Sequence, residues 1–394
     1  MTRRQVVYVP VVLLLIATTF VSYTADFGLA YQAGVEAWNS GHPQRLLTWT
    51  GTPFYVLVMA LVARGPSVEG GARLFLAISI LTWGAMLRQT WILLMDRVSV
   101  RFWWITLAAA VIFSPGIQTI FWLQPNLIVF GLALLGYGYL VILRRDFTAG
   151  ALIGASIAIK PLVVLLPLAL LLRRQTRTAG LWAIASAASL TFVGLAFLAW
   201  RAGDPAVLNP IAYLTGFLSK GQGPIAACVP ENYSPVALLC RLGIAPTFGT
   251  AVVVAVVVLI AWWFITRSLP DVPESDWAIF AAASIFSGLL GPIDWAHYGV
   301  LMAPLFLLLA YQFWRENAPP PFWIGLGVAY LLAELVWDPL ESLAQTPVLV
   351  VIFSYSAGQF SQYVLLLLWA RWRVFRRVRA GSRTSAMRMP APQQ

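Results

Sequence analysis

The sequence predicts an all-α polytopic membrane protein: a bundle of about ten to twelve transmembrane helices with outer-face loops and one short, re-entrant-like helix pair. Three observations predict it. Of 394 residues, 60% are hydrophobic and only 10% charged, and the mean hydropathy is +0.79, far outside the composition of a water-soluble domain. Apolar runs of about 20 residues recur along the chain, and basic residues gather between them. That pattern leaves no length for a separate soluble domain, so a cytoplasmic nucleotide-binding domain is excluded. Residues 1–370 are expected to form a single transmembrane domain, followed by a basic, disordered cytoplasmic tail over 371–394.

Taken in order, Thr2-Arg3-Arg4 precedes an apolar run from Val6 to Val21. No small-residue cleavage pattern follows at Tyr23-Thr24-Ala25, so the run reads as an uncleaved first span rather than a signal peptide. Further runs able to cross lie near 71–94, 102–121, 125–143, 178–200, 248–266, 277–292, 298–314, 321–337 and 347–370. The stretch 147–172 differs: it is apolar but interrupted by Lys160-Pro161, with Arg144 and Arg145 before it and Arg173, Arg174 and Arg177 after it. Basic clusters on both sides place both ends in the cytoplasm, which predicts two short helices that enter and return with Lys160 near the tip.

Alternating these spans from a cytoplasmic N-terminus puts most of the basic residues inside. Arg3, Arg4, Arg97, Arg101, the clusters flanking the helix pair, Arg267, Arg315 and the arginines from Arg371 to Arg388 all fall on the cytoplasmic side. Arg45, Arg64, Arg73, Arg201, Lys220 and Arg241 fall outside. The asymmetry follows the positive-inside rule. It also accounts for the formal net charge of +11 without a nucleic-acid partner. The tail reads as a juxtamembrane basic segment on anionic lipid, a partner-binding tail being the alternative.

Two long segments fall outside, 23–70 and 201–247, and both read as outer loops. The only cysteines, Cys228 and Cys240, lie in the second, on the oxidising side where a disulfide persists; spacing alone does not show whether they meet. The chain has no CxxC pattern, Walker loop or GxGxxG. With two histidines, His42 and His297, it has no basis for a multi-histidine metal site. No cofactor is expected, although Asp26 and Asp294 are both outside and compatible with a divalent ion.

A charge within a span costs about 2.5–3.5 kcal/mol on insertion scales, so polar groups at span ends carry information. Asp26 directly follows the first span and heads a stretch with helical spacing through Tyr31, Val35 and Trp38. It reads as an N-cap or as a general base where lipid substrates meet water. Lys160, at the turn of the helix pair, needs an anionic partner: an internal carboxylate or the phosphate of a lipid substrate. The turn Gly291 to Gly299 concentrates Asp294, Trp295, His297 and Tyr298, a set suited to sugar stacking and phosphate binding, or to interfacial anchoring by its aromatics. Gln124 and Asn126 at a span end, and Asn232 within Glu231-Asn232-Tyr233-Ser234, satisfy backbone groups or contact sugar hydroxyls. One topology puts all of these on the same side.

The order of these short motifs resembles glycosyltransferase family 87, over most of the chain: Asp26 after span one with Tyr31 beyond it, Gln124-x-Asn126, Ala158-Ile159-Lys160-Pro161, Glu231-Asn232-Tyr233-Ser234-Pro235, and Pro292-Ile293-Asp294-Trp295-Ala296-His297-Tyr298. The resemblance implies a C-type glycosyltransferase-like bundle that takes a sugar from a polyprenyl phosphate and places it on an acceptor outside the cytoplasm. It implies Asp26 as catalytic base and Lys160 with His297 near the donor phosphate. Tyr31, Gln124, Asn126, Asn232, Asp294, Trp295 and Tyr298 are then expected around the sugar and the acceptor. The partners expected are a polyprenyl-phosphate sugar, a cell-envelope glycolipid or glycan, and membrane lipid. A mannosyl donor leads this reading and an arabinofuranosyl donor is the alternative within the family. A secondary transporter of an anionic or lipid-linked substrate is the alternative class, since broken helices with a buried lysine also mark transport sites.

Overall fold

The structure, a computed structural model, describes residues 25–43, 51–65, 67–94, 123–211, 234–245, 247–268 and 303–334, with a few isolated positions besides. Every regular element among these residues is helical, as the composition requires. The expected first span at Val6–Val21 and the tail 371–394 lie outside the described residues; of 102–121, 277–292 and 347–370 only isolated positions are described.

Within the segment 23–70, expected to be an outer loop, the stretch with helical spacing after Asp26 forms helix α1 (Ala25–Ser40), and a second helix, α2 (Pro53–Ala63), stands where no helix was expected. At 11 residues, α2 is too short to register as a crossing, which is why a count of spans passes over it. Its start is encoded locally: Thr52 sits in extended backbone and accepts from the Tyr55 N–H at 3.2 Å, and Pro53 opens the first turn, where its missing N–H costs nothing. The helices α1 and α2 pack closely because Gly34 faces the Met59–Ala60 backbone; a Cβ there would lie under 3.0 Å from it.

Helix α3 (Val68–Leu94) follows, then α4 (Asn126–Leu143), which ends at Arg144 in the left-handed region with φ 52°. Helix α5 (Asp146–Ile159) stops at Lys160, whose φ −155° and ψ 127° are extended. The cause is Pro161, which excludes the residue before it from helical backbone. The chain resumes as α6 (Leu165–Leu172). Helix α7 (Arg177–Ala202) ends on Gly203 at φ 64°, a left-handed C-terminal glycine. A 3-10 helix at Pro205–Leu208 and helices α8 (Pro235–Arg241), α9 (Phe248–Ser268), α10 (Ala303–Arg315) and α11 (Pro320–Glu334) complete the described elements.

Helix α5 lies between α4 and α7 and holds the bundle together. Gly150 and Gly154 face the α7 backbone at Ala179 and Ala183, and Gly136 of α4 faces Ala149; a Cβ at any of the three would come within 3.0 Å of the neighbouring helix. Small residues at helix interfaces are how apolar bundles gain packing where no hydrophobic driving force separates helix from lipid.

Among the described residues one helix, α7, is long and apolar enough to cross a membrane, and 22% of its apolar window is buried. Leu181, Trp182, Ile184, Phe192 and Val193 of α7 are exposed instead. An apolar outer face of that size suits lipid, not water. The expected spans at 125–143, 248–266 and 321–337 coincide with α4, α9 and α11, which are apolar but shorter than a crossing over their apolar parts. The count of about ten to twelve spans thus stands, among the described residues, at one helix that meets the requirement by itself.

Candidate active site

Helix α1 presents Asp26 in its first turn rather than at the cap. Asp26 is fixed by the next residue: Phe27 is buried in a cluster with Tyr55, Met59, Phe75, Leu76 and Leu123. That cluster ties α1, α2 and α3 to the turn that precedes α4. In this turn Leu123 takes φ 50°, and the Gln124 N–H closes on the Thr119 carbonyl at 3.0 Å. Gln124 is thereby aimed at α1 while Asn126 opens α4.

The result is a chain of polar side chains. Gln124 Nε2 donates to Asp26 Oδ2 at 2.6 Å, and Lys160 Nζ donates to Gln124 Oε1 at 3.0 Å and to Asn126 Oδ1 at 3.0 Å. Asn126 is fully buried, at 0% exposure; Asp26, Gln124 and Lys160 are half-buried. The amide orientation of Gln124 is dictated by its neighbours: an ammonium only donates and a carboxylate only accepts, so one arrangement alone satisfies both. One amide therefore links a carboxylate to an ammonium across three segments of the chain.

Lys160 is held in place from its backbone. The proline break strips the end of α5 of ordinary intrahelical partners, and the Thr52 hydroxyl takes up the Ala158 carbonyl and, at 3.0 Å, that of Ile159. On the far side of the break, the Leu165 N–H donates to Ser287 Oγ at 2.9 Å. Broken helices at membrane depth persist only where such side chains satisfy the freed backbone groups. Neither Thr52 nor Ser287 stands out as a site residue in the sequence; the Thr-Pro pair at the start of α2 was the available sign for the first, and a serine inside an apolar run gives none.

Of the residues expected at the site, the structure brings together Asp26, Gln124, Asn126 and Lys160. Tyr31 is not among them. Five residues beyond Asp26, it points about 140° further round the helix; its hydroxyl reaches the Ala63 carbonyl at 3.5 Å and its ring lies 6.3 Å from that of Phe27. Asn232, Asp294, Trp295, His297 and Tyr298 lie outside the described residues. Cys240, in α8, is disulfide-bonded, and Cys228, the other cysteine of the chain, is likewise outside them. Among the described residues no group of three or more His, Cys, Asp or Glu side chains is placed to hold a metal ion.

A family model for glycosyltransferase family 87 matches residues 49–292. The chain belongs to glycosyltransferase family 87. Family 87 comprises membrane glycosyltransferases, in keeping with the lipid-suited face of α7. The matched stretch contains Gln124, Asn126 and Lys160, stops short of Asp26 on one side and ends before Asp294 and His297 on the other. A curated relative from Mycolicibacterium smegmatis is named polyprenol-phosphate-mannose-dependent alpha-(1-2)-phosphatidylinositol mannoside mannosyltransferase. It is 26% identical over 210 residues, which cover 51% of this chain and 45% of the relative. The chain thus aligns with about half the length of that protein. No solved structure matches the chain.

Proposed function

We propose that this family 87 chain is an integral membrane glycosyltransferase that moves a mannosyl residue from a polyprenyl-phosphate donor to a glycolipid or polysaccharide of the cell envelope. The observation that carries the reading is the Asp26–Gln124–Lys160 chain, an acid and a cation held a single amide apart. Family membership and the polyprenol-phosphate-mannose dependence for which the relative is named support the lipid-linked donor and the mannosyl group.

In this reading the acceptor hydroxyl attacks the anomeric carbon as the bond from that carbon to the phosphate oxygen breaks. The transition state has oxocarbenium character. Asp26 takes the hydroxyl proton, and the bond electrons leave with the polyprenyl phosphate. Lys160, joined by His297, faces the charge that grows on that phosphate; a preorganised cation there acts where charge develops. Because the leaving group is already an anion, the step needs no strong general acid. One carboxylate suffices when the acceptor attacks opposite the phosphate, so the reaction inverts the anomeric centre. Asn126, fully buried, holds Lys160 in place, while Asn232 and Asp294 orient sugar hydroxyls, with Trp295 and Tyr298 stacking on the ring. The paired amides of Gln124 and Asn126 keep the Lys160 amine aimed without occupying it with a carboxylate.

The topology that suits this reading has both termini cytoplasmic, the site on the outer face, α5 and α6 as a helix pair that enters and returns, residues 1–370 as the catalytic domain and 371–394 as the tail. Helix α5 spans about 21 Å and α6 about 12 Å at 1.5 Å per residue, each less than the roughly 30 Å hydrocarbon core. A bridge from Cys240 to Cys228 fits the same outer placement.

One observation favours a second reading, a transporter: Lys160 stands at a helix break, the place where carriers bind anions. A single experiment separates the two. Membranes containing the chain are given radiolabelled polyprenyl-phosphate mannose together with envelope lipids. The transferase predicts a new glycosidic bond that disappears in Asp26→Ala; movement of label across the membrane without bond formation would establish the transporter instead.

A further inference from the structure

At the far end of α1, about 18 Å from Asp26 along the helix axis, two cations converge on one indole. The guanidinium carbon of Arg64, which caps α2, lies 4.9 Å from the Trp38 ring centroid, and that of Arg201, in the last turn of α7, lies 5.1 Å from the same centroid. Arg201 also stacks on Trp200 at 5.2 Å and donates through Nε to the Trp38 carbonyl. Among the described residues neither guanidinium has a carboxylate at ion-pair distance. Glu36 is hydrogen-bonded to Ser40 within α1 at 2.7 Å, and Asp204 caps the 3-10 helix through the Ala206 N–H at 2.8 Å. Two like charges gathered at one ring repel each other, and an anion between them relieves that repulsion. The Nε bond to the Trp38 carbonyl uses one donor of Arg201 and leaves its two Nη groups as the paired donors that suit a phosphate.

The anion has an address. Arg201 ends the one described helix able to cross a membrane, so its guanidinium belongs at an interface, where tryptophans such as Trp38 and Trp200 also collect. Trp200 is 68% exposed and lines a groove of about 460 Å³ together with Phe192, Ala196, Ala199, Asp204, Pro205 and Leu208, the Asp204 carboxylate being engaged by the Ala206 N–H. The groove is apolar and runs along the lipid-suited face of α7, and Trp200 touches both it and Arg201. A phosphate on the arginines with an acyl chain in the groove therefore fits one molecule. We infer that Trp38, Arg64, Arg201 and the Trp200 groove form a binding site for an anionic phospholipid, distinct from the Asp26 chain. The site does not depend on the transferase reading.

The test uses the full chain in neutral detergent, titrated separately with phosphatidylglycerol, phosphatidylcholine and inorganic phosphate while thermal unfolding is followed. The wild type is expected to gain stability from phosphatidylglycerol and not from phosphatidylcholine. The double variant Arg64→Ala/Arg201→Ala is expected to lose at least about tenfold in apparent affinity, the effect of removing hydrogen bonds to a charged group. Trp200→Ala should weaken phosphatidylglycerol and leave any response to inorganic phosphate unchanged. Should the double variant lose its baseline unfolding transition, Arg64→Gln/Arg201→Gln takes its place. The proposal is overturned if the arginine variants respond to phosphatidylglycerol as the wild type does, or if inorganic phosphate alone reproduces the whole stabilisation.

Discussion

Gln124 donates to the carboxylate of Asp26 at 2.6 Å across a sequence separation of 98 residues. The same amide accepts from Lys160, 36 residues further on. The amide of Gln124 stands between the carboxylate and the lysine and satisfies one atom of each, so the two are joined through a neutral group instead of through a direct salt bridge.

Replacing Asp26 by Asn keeps the size and a hydrogen-bonding side chain but removes the base. Transfer is expected to fall about 10²–10⁴-fold, the range for a general base, with the folded yield in detergent unchanged. Initial rates of glycosidic bond formation in membranes check this; a variant with full activity would remove Asp26 from the mechanism.

Gln124→Leu severs both bonds of the amide, each worth about 1.5–3 kcal/mol because its partner is charged. If Gln124 acts by positioning Asp26 and Lys160, kcat falls about 10–100-fold and acceptor KM stays near the wild-type value. The opposite split, a raised acceptor KM with kcat preserved, would assign the amide to sugar hydroxyls. Lys160→Ala should cost about 10²–10³ in kcat, with Lys160→Arg restoring part of it.

Thr52→Val retains the shape of the side chain and deletes the hydroxyl that serves both the α2 N–H of Tyr55 and the carbonyls at the end of α5. Loss of the cap alone is worth about 1 kcal/mol. Because those carbonyls belong to the two residues before Lys160, kcat is expected to drop as well, although Thr52 itself touches no charge of the site. Thermal unfolding and transfer rates measured on one preparation resolve the two effects.

Two glycines give contrasting stability predictions. A side chain on Gly150 would meet the α7 backbone within 3.0 Å, so Gly150→Val should push α5 and α7 apart and abolish the folded species on size-exclusion chromatography in detergent. At Gly203 nothing lies within 4 Å of the added Cβ, but φ is +64°, so Gly203→Ala should cost only about 1 kcal/mol through backbone strain.

Much of the helical plan was legible because hydropathy and punctuation act locally. Lys160-Pro161 ends α5 wherever it occurs, since a proline constrains the residue before it regardless of fold. The runs that became α7 and α9 were visible for the same reason. Helix α2 was hidden because, at 11 residues, it falls below the length on which a search for spans relies. For the site, Asp26, Gln124, Asn126 and Lys160 were recognisable as polar groups at apolar boundaries, where they are costly unless partnered. Tyr31 stands apart from the Asp26–Gln124–Lys160 chain because a spacing of five residues turns it away from Asp26, and the role of Thr52 rests on a contact across 107 residues that leaves no local sign.

Apolar content, arginine spacing and proline breaks are properties of short stretches, and they settled that the chain is helical and that acids, amides and a lysine stand at segment ends. Which of those groups meet is a different kind of fact. Asp26, Gln124 and Lys160 touch because Phe27 and Leu123 share one apolar cluster and because Thr52 fastens α2 to the end of α5. Contacts across 98 and 107 residues have no local signature: hydrogen bonds of about 3 Å select partners by position in space, and that position exists only once the glycine-faced helices have packed.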